Sequence, residues 1–422
     1  MATVPLIAEP KCRVCDADVE VFLDYGYRAP ANAFVKPEDL NKPEAKFPLR
    51  YGFCPKCFLV QLIEITPPEV LFDEYPFLTG SSANMVIYYA EMARDLRQQW
   101  RPQRVLELGP NDGTLLNNFA DLPHLGIEPA ANIAAVARAR GLTIHTGFFG
   151  EHSAEDIRQY WGGAQADLVL STHCITHIPD LNGLFAGIRG VLAPKGVVVL
   201  EDPSLLKVVT NTELCQLYSE HVICLSVPAL SNILARHNLE IIDAQPVSTH
   251  GGSMRVTAAH KGVYPRQPSV LRQVKQELIL THTDTFRQFA KHCYRHIDEL
   301  RGTVLRLKDE GQRVAVYGAS SKVALALALA RLGPDVLEYV SDSTPAKIGC
   351  YLPETHIKII SREEAETRLP QVWLLGAWVH TKFILEQERA FTGRWLTYVP
   401  EVCFLEPRCP TTQSLVRETK TA

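Results

Sequence analysis

The sequence predicts an α/β protein with a zinc-binding module at its N-terminus, a central Rossmann-like domain and a smaller doubly wound α/β domain at its C-terminus. Two cysteine pairs of the form CxxC, at 12–15 and 54–57, indicate the module. Apolar strand-like runs alternate with helical stretches from 104 to 262, and the same alternation starts again at 313. Such alternation is typical of a parallel sheet with helices on both faces.

Two or three domains are expected, because 422 residues exceed what one hydrophobic core usually organises, and the pattern along the chain indicates three. Residues 1–70 are strand-like and interrupted by proline, so we expect a module that a metal ion stabilises. Residues 71–262 form the Rossmann-like domain. Residues 263–422 combine a helical connector with the C-terminal domain. The turn "YGAS" in this last part could bind a phosphate at a helix N-terminus or simply reverse the chain.

The overall composition favours a soluble, cytoplasmic protein. Its net charge of −4 offers no basic surface for nucleic acid or an anionic membrane. No basic start followed by an apolar run indicates a signal peptide, and no apolar stretch reaches the roughly 18 residues of a membrane span. The 11 cysteines do not form the pattern of a secreted disulfide framework. We expect no nucleic-acid partner, no membrane partner, and a monomer or weak oligomer.

The two CxxC pairs predict one metal site, because two thiolates separated by two residues can bind one ion from a tight turn. The ligands are Cys12, Cys15, Cys54 and Cys57. The gap between the pairs exceeds the roughly 15–20 residues of a compact zinc ribbon, so a loop or small sheet must fill it. A redox-active CxxC is the alternative, but no thioredoxin-like βαβ unit lies beside either pair. Four sulfur ligands leave no open position, which indicates structural zinc.

The segment "VLELGPNDG" follows a predicted strand and carries the candidate cofactor site. Its glycines do not make the GxGxxG pattern, and carboxylates here would repel a pyrophosphate. They suit the sulfonium and ammonium of S-adenosylmethionine, while an acid ending the next strand can accept both ribose hydroxyls. An ordinary turn with solvated acids is the alternative. The residues assigned to the cofactor are Glu107, Gly109, Asp112, Gly113, Glu128 and, beside the adenine, Phe148 or its neighbour Phe149.

A candidate acid–base cluster lies farther along the chain. The stretch "STHCITHIPD" follows a strand and places His177 at the carboxyl end of the sheet, where ligands bind. The stretch "LYSEHVIC" supplies Tyr218, Glu220 and His221. On a helix, Tyr218 and His221 would share one face. A histidine flanked by a carboxylate and a phenol is suited to proton abstraction, although such a cluster can also be a solvated helix.

Several motifs together resemble the zinc-containing nucleotide-sugar 3-C-methyltransferases of branched deoxysugar biosynthesis. They are the CxxC pairs, "YPFLTGSS", "ELGPNDG", "HIPD", "EDP", "YSEH", "HGGSMR" and "SDSTPAKIGCYLPETHI", and they extend over nearly the whole chain. The resemblance implies that the middle domain binds S-adenosylmethionine and that the C-terminal domain closes a cleft for a nucleotide-linked 4-keto-6-deoxyhexose. It also implies His221 as the base, with Tyr218, Glu220, His177 and Tyr75 as its catalytic partners.

The implied reaction adds a methyl group to C-3 of a dTDP- or GDP-linked sugar. A base removes the proton beside the ketone, and His177 or Tyr75 stabilises the enolate oxygen. Phe77 and Cys224 stand where this family commonly has tyrosine, which leaves the nucleotide open. Two alternatives remain. One is a methyltransferase acting on oxygen or nitrogen of another small molecule, and the other is a non-catalytic protein that binds a nucleotide sugar and whose fold zinc stabilises.

Overall fold

The structure of the protein is a computed structural model that describes residues 5–72 and 77–405. The strands are β1 (Glu20–Arg28), β2 (Phe47–Phe53), β3 (Val60–Leu62), β4 (Val105–Leu108), β5 (His124–Glu128), β6 (Ile144–Thr146), β7 (Ala166–Thr172), β8 (Leu192–Pro203), β9 (Ile223–Cys224), β10 (Leu239–Val247), β11 (Ser253–His260), β12 (Val314–Tyr317), β13 (Val340–Ser341), β14 (Ile359–Ile360), β15 (Val372–Leu375), β16 (Arg394–Thr397) and β17 (Cys403–Phe404).

The α-helices alternate with these strands, as the sequence predicts. They are α1 (Pro68–Phe72), α2 (Ala83–Trp100), α3 (Ala131–Ala139), α4 (Ser153–Tyr160), α5 (Leu181–Val191), α6 (Leu205–Thr210), α7 (Val227–Arg236), α8 (Pro268–Gln276), α9 (Thr283–Asp309), α10 (Ser321–Ala330), α11 (Arg362–Glu366) and α12 (Thr381–Gln387). Short 3-10 turns connect several of them. None of the helices in the described ranges is long and apolar enough to cross a membrane.

Three sheets organise these elements and confirm the predicted α/β class. The N-terminal sheet has the order β1-β2-β3-β9, the central sheet β10-β11-β8-β7-β4-β5-β6, and the C-terminal sheet β14-β13-β12-β15-β16-β17. In the central sheet the strands from β4 to β8 run parallel, as the alternating pattern predicts. Strands β10 and β11 are antiparallel instead, because a short turn rather than a helix joins them.

Buried residues on its strands and helices form the core of the central sheet. All four residues of β4 are buried, as expected for a parallel strand covered by helices on both faces. Helix α5 packs onto the sheet through the buried residues Leu184, Phe185 and Ile188, which recur at helical spacing. Its N-cap residue is Asp180, whose side chain accepts a hydrogen bond from the backbone N–H of Gly183. These rigid elements fix the loops that follow β4 and β7.

The long helix α9 joins the N-terminal sheet to the C-terminal domain. Its buried residues recur along one face, and the ring of Phe286 lies 4.6 Å from that of Phe53 on β2. The C-terminal domain has a parallel core in which β12 lies between β13 and β15. Helix α10 follows β12 and begins at the N-cap residue Ser320, whose hydroxyl accepts from the backbone of Val323. The "YGAS" turn therefore lies at a helix N-terminus.

Candidate active site

The four cysteines of the two CxxC pairs converge, and their sulfur atoms all lie within 4.8 Å of one another. Cys12 Sγ lies 3.4 Å from Cys57 Sγ, and Cys15 Sγ lies 3.5 Å from Cys54 Sγ. Tetrahedral zinc with Zn–S bonds of about 2.3 Å needs sulfurs about 3.8 Å apart, so this arrangement fits the metal. Each pair lies on a tight turn. In the second pair, the N–H of Phe58 donates to the carbonyl of Cys54 at 2.8 Å and closes the turn.

The loop after β4 has the backbone form that a close approach to a ligand requires. Gly109 and Gly113 have φ angles of 68° and 80°, which favour glycine. A Cβ atom on Gly109 would lie 2.5 Å from the sulfur of Cys174, and one on Gly113 would lie 2.2 Å from Leu142. Larger residues would therefore strain the backbone and also displace neighbouring side chains.

Two carboxyl groups, those of Glu107 and Glu128, flank this loop. Burial and the nearby charge of Glu128 raise the pKa of Glu107 to about 8. Within the described part of the chain, no group donates a hydrogen bond to Glu107 Oε2. Glu128 accepts backbone hydrogen bonds from Asn111 and Ala130, each at 3.0 Å, so its carboxylate is fixed in orientation. A buried acid with an unsatisfied oxygen, beside a glycine turn, fits a ligand that carries positive charge.

Asp112 and Phe148 have different surroundings from the other predicted cofactor residues. The carboxylate of Asp112 is fully buried and already bound: it accepts from the backbone of Gly80 at 2.9 Å and from Arg140 at 3.1 Å. It therefore holds the segment before α2 against the cofactor loop.

The side chain of Phe148 is 69% exposed at the rim of the site, whereas Phe149 is buried in the core. Phe148 is thus the phenylalanine that remains accessible to an adenine ring.

The predicted acid–base residues gather at the carboxyl end of the central sheet. The ring of His221 lies 4.4 Å from that of Tyr218 and 5.3 Å from that of His177, measured between centroids. The expected shared helix is wrong: residues 217–220 form bends and turns after the 3-10 segment Leu214–Gln216. The two rings still meet, because the N–H of His221 donates to the carbonyl of Tyr218 at 2.9 Å and closes the turn.

The ring of His221 is oriented by a group that the sequence did not indicate. Its Nδ1 lies 2.8 Å from the carbonyl oxygen of Gln216, which can only accept. Nδ1 therefore carries the proton in the neutral ring, and Nε2 is the acceptor. Burial, with the nearby His177 and Lys322 adding to it, lowers the pKa of His221 well below its usual value. The imidazole is consequently neutral near pH 7.

Glu220 contacts other groups rather than the ring of His221. Its Oε1 accepts from Asn32 Nδ2 at 2.7 Å, so a loop of the N-terminal module reaches this turn. Burial raises the pKa of Glu220 to about 7, while Asn32, Lys322 and Tyr218 oppose that shift. Burial also lowers the pKa of Lys322, which α10 of the C-terminal domain contributes. All three parts of the chain thus supply groups to one cleft.

A second polar cluster surrounds Glu201 at the end of β8. Its fully buried carboxylate accepts from the hydroxyl of Tyr88 at 2.7 Å and from Arg255 Nε at 2.9 Å. His173 Nε2 lies 3.5 Å from Glu201 Oε1, and the His173 ring is 4.1 Å from that of His250. Sequence reasoning missed this cluster, because its members come from distant segments. Two signals were present: "EDP" and "HGGSMR", which contain Glu201, His250 and Arg255.

Tyr75, the remaining predicted catalytic residue, lies outside the described residues. The structure thus brings His177, Tyr218, Glu220 and His221 together, and it groups Glu107, Gly109, Gly113 and Glu128 around a separate loop. Both groups lie at the carboxyl edge of the central sheet, since Glu107 and Glu128 lie on neighbouring strands and His177 follows β7. The predicted catalytic and cofactor residues therefore lie at the same edge of the sheet, where parallel α/β sheets bind their ligands.

Comparison with known proteins agrees with this arrangement. A family model described as "C-methyltransferase C-terminal domain" matches residues 248–400, one described as "Methyltransferase domain" matches 87–244, and one described as "Putative zinc binding domain" matches 12–72. The C-methyltransferase NovU of Streptomyces niveus is 32% identical over 406 residues, which cover 93% of this chain and 96% of NovU. The chain belongs to this family of C-methyltransferases. The predicted family, fold class, S-adenosylmethionine and zinc are thereby confirmed.

Solved methyltransferases also match part of this C-methyltransferase. The glycopeptide N-methyltransferase MtfA complexed with sinefungin is 18% identical and covers 41% of this chain and 87% of its own, with a TM-score of 0.31. An S-adenosylmethionine-dependent methyltransferase from Clostridium acetobutylicum is 13% identical and covers 42% of this chain and 92% of its own, with a TM-score of 0.34.

Proposed function

We propose that this C-methyltransferase adds a methyl group to C-3 of a nucleotide-linked 4-keto-6-deoxyhexose after His221 has removed the proton beside the ketone. The observation that carries the proposal is the hydrogen bond between His221 Nδ1 and the carbonyl of Gln216, at 2.8 Å. It assigns the acceptor role to Nε2. A neutral imidazole with one nitrogen held by a carbonyl is a general base of fixed orientation.

The pKa of His221 supports this role. A base must be unprotonated at the working pH, and burial beside His177 and Lys322 keeps His221 neutral. The same crowding disfavours a positive charge on the ring after proton transfer. In our proposal, the buried carboxyl groups of Glu220 and Glu213, whose pKa values burial raises to about 7, compensate the imidazolium as it forms.

The enolate oxygen needs a hydrogen-bond donor or a positive charge nearby. His177 and Tyr75 are the donors we propose, and the C-terminal domain brings Lys322 to the same cleft. Burial lowers the pKa of His177 to about 4, so its ring is neutral and has one N–H to donate.

The cofactor residues have a separate task. Bound S-adenosylmethionine supplies an electrophilic methyl group. Glu107 would face its cationic portion, Glu128 would accept the ribose hydroxyls, and the backbone at Gly109 would allow close approach. By fixing the donor on the loop after β4, these residues would bring its methyl group close to the carbon that His221 deprotonates, and such proximity lowers the barrier.

The sugar substrate rests on the chemistry of the site and on the resemblance in motifs. A carbon beside a ketone is the acidic C–H that an enolate mechanism requires, and a 4-keto sugar has two such carbons, C-3 and C-5. We assign C-3 and a dTDP or GDP carrier because of the motifs shared with nucleotide-sugar 3-C-methyltransferases. The predicted domain limits of 70 and 262 also remain a proposal.

Mass analysis tests the substrate class. The protein would be incubated with S-adenosylmethionine and, separately, with the 4-keto-6-deoxyhexoses linked to dTDP and to GDP. We expect one of them to gain a single CH2 unit, and carbon NMR of the product then locates the methyl group. Absence of a gain on both sugars contradicts the proposed substrate. A methyl group on oxygen contradicts the enolate mechanism, and one on C-5 corrects the position.

A further inference from the structure

The turn 218–221, which carries the proposed base, is followed directly by a strand that pairs with the sheet of the N-terminal module. Strand β9 starts two residues after His221, and it pairs with β3 of the module through Ile223 and Cys224. The N–H of Leu62 on β3 also donates to the carbonyl of Val222, at 2.8 Å. The residue that follows the proposed base is therefore already hydrogen-bonded to the module.

Tyr51 of β2 makes a second connection to this turn. It is completely buried, and its hydroxyl donates to the carbonyl of Tyr218 at 2.9 Å, with the carbonyl of His221 also within hydrogen-bond distance. These are the first and last residues of the turn. One side chain of the N-terminal module thus fixes both ends of the segment that carries the proposed base.

Asn32 makes the third connection. It lies in the loop after β1 and donates from Nδ2 to Glu220 Oε1 at 2.7 Å. Between them, Tyr51 and Asn32 bind the carbonyls of Tyr218 and His221 and the carboxyl group of Glu220. The turn needs such support because its own backbone supplies few constraints: the bond between the N–H of His221 and the carbonyl of Tyr218 closes it, and no regular helix continues through it.

We propose that the N-terminal zinc module is a positioning device for the base, in which Tyr51 and Asn32 set the place of Tyr218, Glu220 and His221. The inference rests on the proposed role of His221 and assigns the module a part in turnover as well as in folding. The physical reason is the sensitivity of proton transfer to geometry, since a displacement of about 1 Å can cost about 10²-fold in rate.

The first variant to test is Tyr51→Phe, which keeps the ring and removes the hydroxyl. We expect kcat to fall by about tenfold or more while the affinity for S-adenosylmethionine stays unchanged, because the cofactor loop is not involved. Tyr339→Phe is the matched control: Tyr339 is also completely buried and donates to one carbonyl, that of Arg368, at 2.8 Å in the C-terminal domain. It should retain the wild-type kcat.

A second pair of variants keeps the inference testable if Tyr51→Phe does not fold. Asn32→Ala removes the bond to Glu220, whereas Asn182→Ala removes a hydrogen bond between α5 and the carbonyl of Val14. Both asparagines are half-buried and connect the module to the central domain, but only Asn32 contacts the turn. We expect a loss of kcat with Asn32→Ala alone, at similar unfolding temperatures for the two variants.

Two outcomes separate this inference from the proposed function. If His221→Ala is inactive while Tyr51→Phe and Asn32→Ala keep the kcat of their controls, the positioning role is wrong and the base assignment stands. If His221→Ala retains the wild-type kcat, the proposed function itself is wrong. A loss of kcat in Tyr339→Phe and Asn182→Ala equal to that of the turn variants would also overturn the inference, because it would show a general effect of destabilisation.

Discussion

The Nδ1 atom of His221 lies 2.8 Å from the carbonyl oxygen of Gln216. Gln216 in turn donates from its side chain to the buried carboxyl group of Glu213, at 3.5 Å. A backbone carbonyl cannot change its protonation state, so it selects the same tautomer of His221 at every pH at which the ring is neutral. The proposed base is thus prepared by the fold before any substrate binds.

Binding of S-adenosylmethionine should strengthen as pH rises toward 8. Burial raises the pKa of Glu107 to about 8, so at lower pH this group must lose a proton before it can face a cation. Affinity should therefore increase by up to about tenfold per pH unit below that value and level off above it. Calorimetric titration between about pH 6.5 and pH 8.5 measures this dependence.

The variant Glu107→Gln provides the control for that dependence. Its side chain cannot titrate, so any change of affinity with pH that remains comes from titration of the cofactor's own amino group. S-adenosylhomocysteine, which lacks the sulfonium charge, should also show a weaker dependence on pH with the wild-type protein. Identical pH profiles for Glu107→Gln and wild type would show that Glu107 does not contact the cationic part of the cofactor.

Glu128→Ala should weaken S-adenosylmethionine binding. The carboxylate is oriented by two backbone N–H groups at 3.0 Å, which leaves it able to accept the ribose hydroxyls. Loss of charge-assisted hydrogen bonds should cost about 1.5–3 kcal/mol, roughly tenfold or more in affinity. Asp112→Asn is the comparison: its side chain is held by Gly80 and Arg140, so we expect a smaller effect on affinity, and a larger one would reverse the two roles.

Zinc should bind at one ion per chain and stabilise the fold. Cys12→Ser removes one of four sulfurs that lie within 4.8 Å of one another, so metal content and unfolding temperature should fall together. Cys350→Ser is the control, because this partly exposed cysteine lies in the C-terminal domain. The site would be contradicted if elemental analysis found no zinc in the wild-type protein. It would also be contradicted if the Cys12→Ser variant kept both its metal and its stability.

Glu201→Gln should destabilise the protein by about 3 kcal/mol, because it leaves Arg255 facing a neutral group in a buried site. Burial raises the pKa of Glu201, but His173 and Arg255 outweigh it and lower the value to about 2. The stabilisation is therefore complete above the unfolded-state pKa of about 4.3. It is lost as the pH falls toward 2.

Urea unfolding at several pH values measures the contribution of Glu201. The exposed acid Glu155, which pairs with Arg158 on α4, provides the control, and Glu155→Gln should change stability by less than about 1 kcal/mol. A Glu201→Gln variant that unfolds like Glu155→Gln would show that the cluster around Glu201 contributes little to stability.

Local patterns in the sequence were sufficient for the fold class and for the metal. The CxxC pairs place two sulfurs on each tight turn, and the alternation of strands and helices predicts the parallel strands β4 to β8. The antiparallel edge was not predicted, because a strand-like segment of sequence does not determine whether the strand pairs in a parallel or an antiparallel direction. Strand β11 pairs antiparallel with both β10 and β8.

The arrangement around His221 could not be read from local patterns. Tyr51 precedes the turn it binds by 167 residues, and Asn32 precedes Glu220 by 188. The spacing of Tyr218 and His221 suited a helix, yet tertiary hydrogen bonds hold them in a turn. The ring of His221 is oriented by the backbone carbonyl of Gln216, which no side-chain motif indicates. Contacts of this kind depend on the whole fold.

The most direct measurement of the central claim is hydrogen exchange at the carbons beside the ketone. The dTDP-linked 4-keto-6-deoxyhexose would be incubated in deuterium oxide with the protein and S-adenosylhomocysteine, which cannot donate a methyl group. Wild type should exchange the C-3 hydrogen, His221→Ala should do so more slowly by roughly 10²–10⁴-fold, and His177→Ala should keep a slow exchange. Exchange by His221→Ala at the wild-type rate would contradict the assignment of His221 as the base.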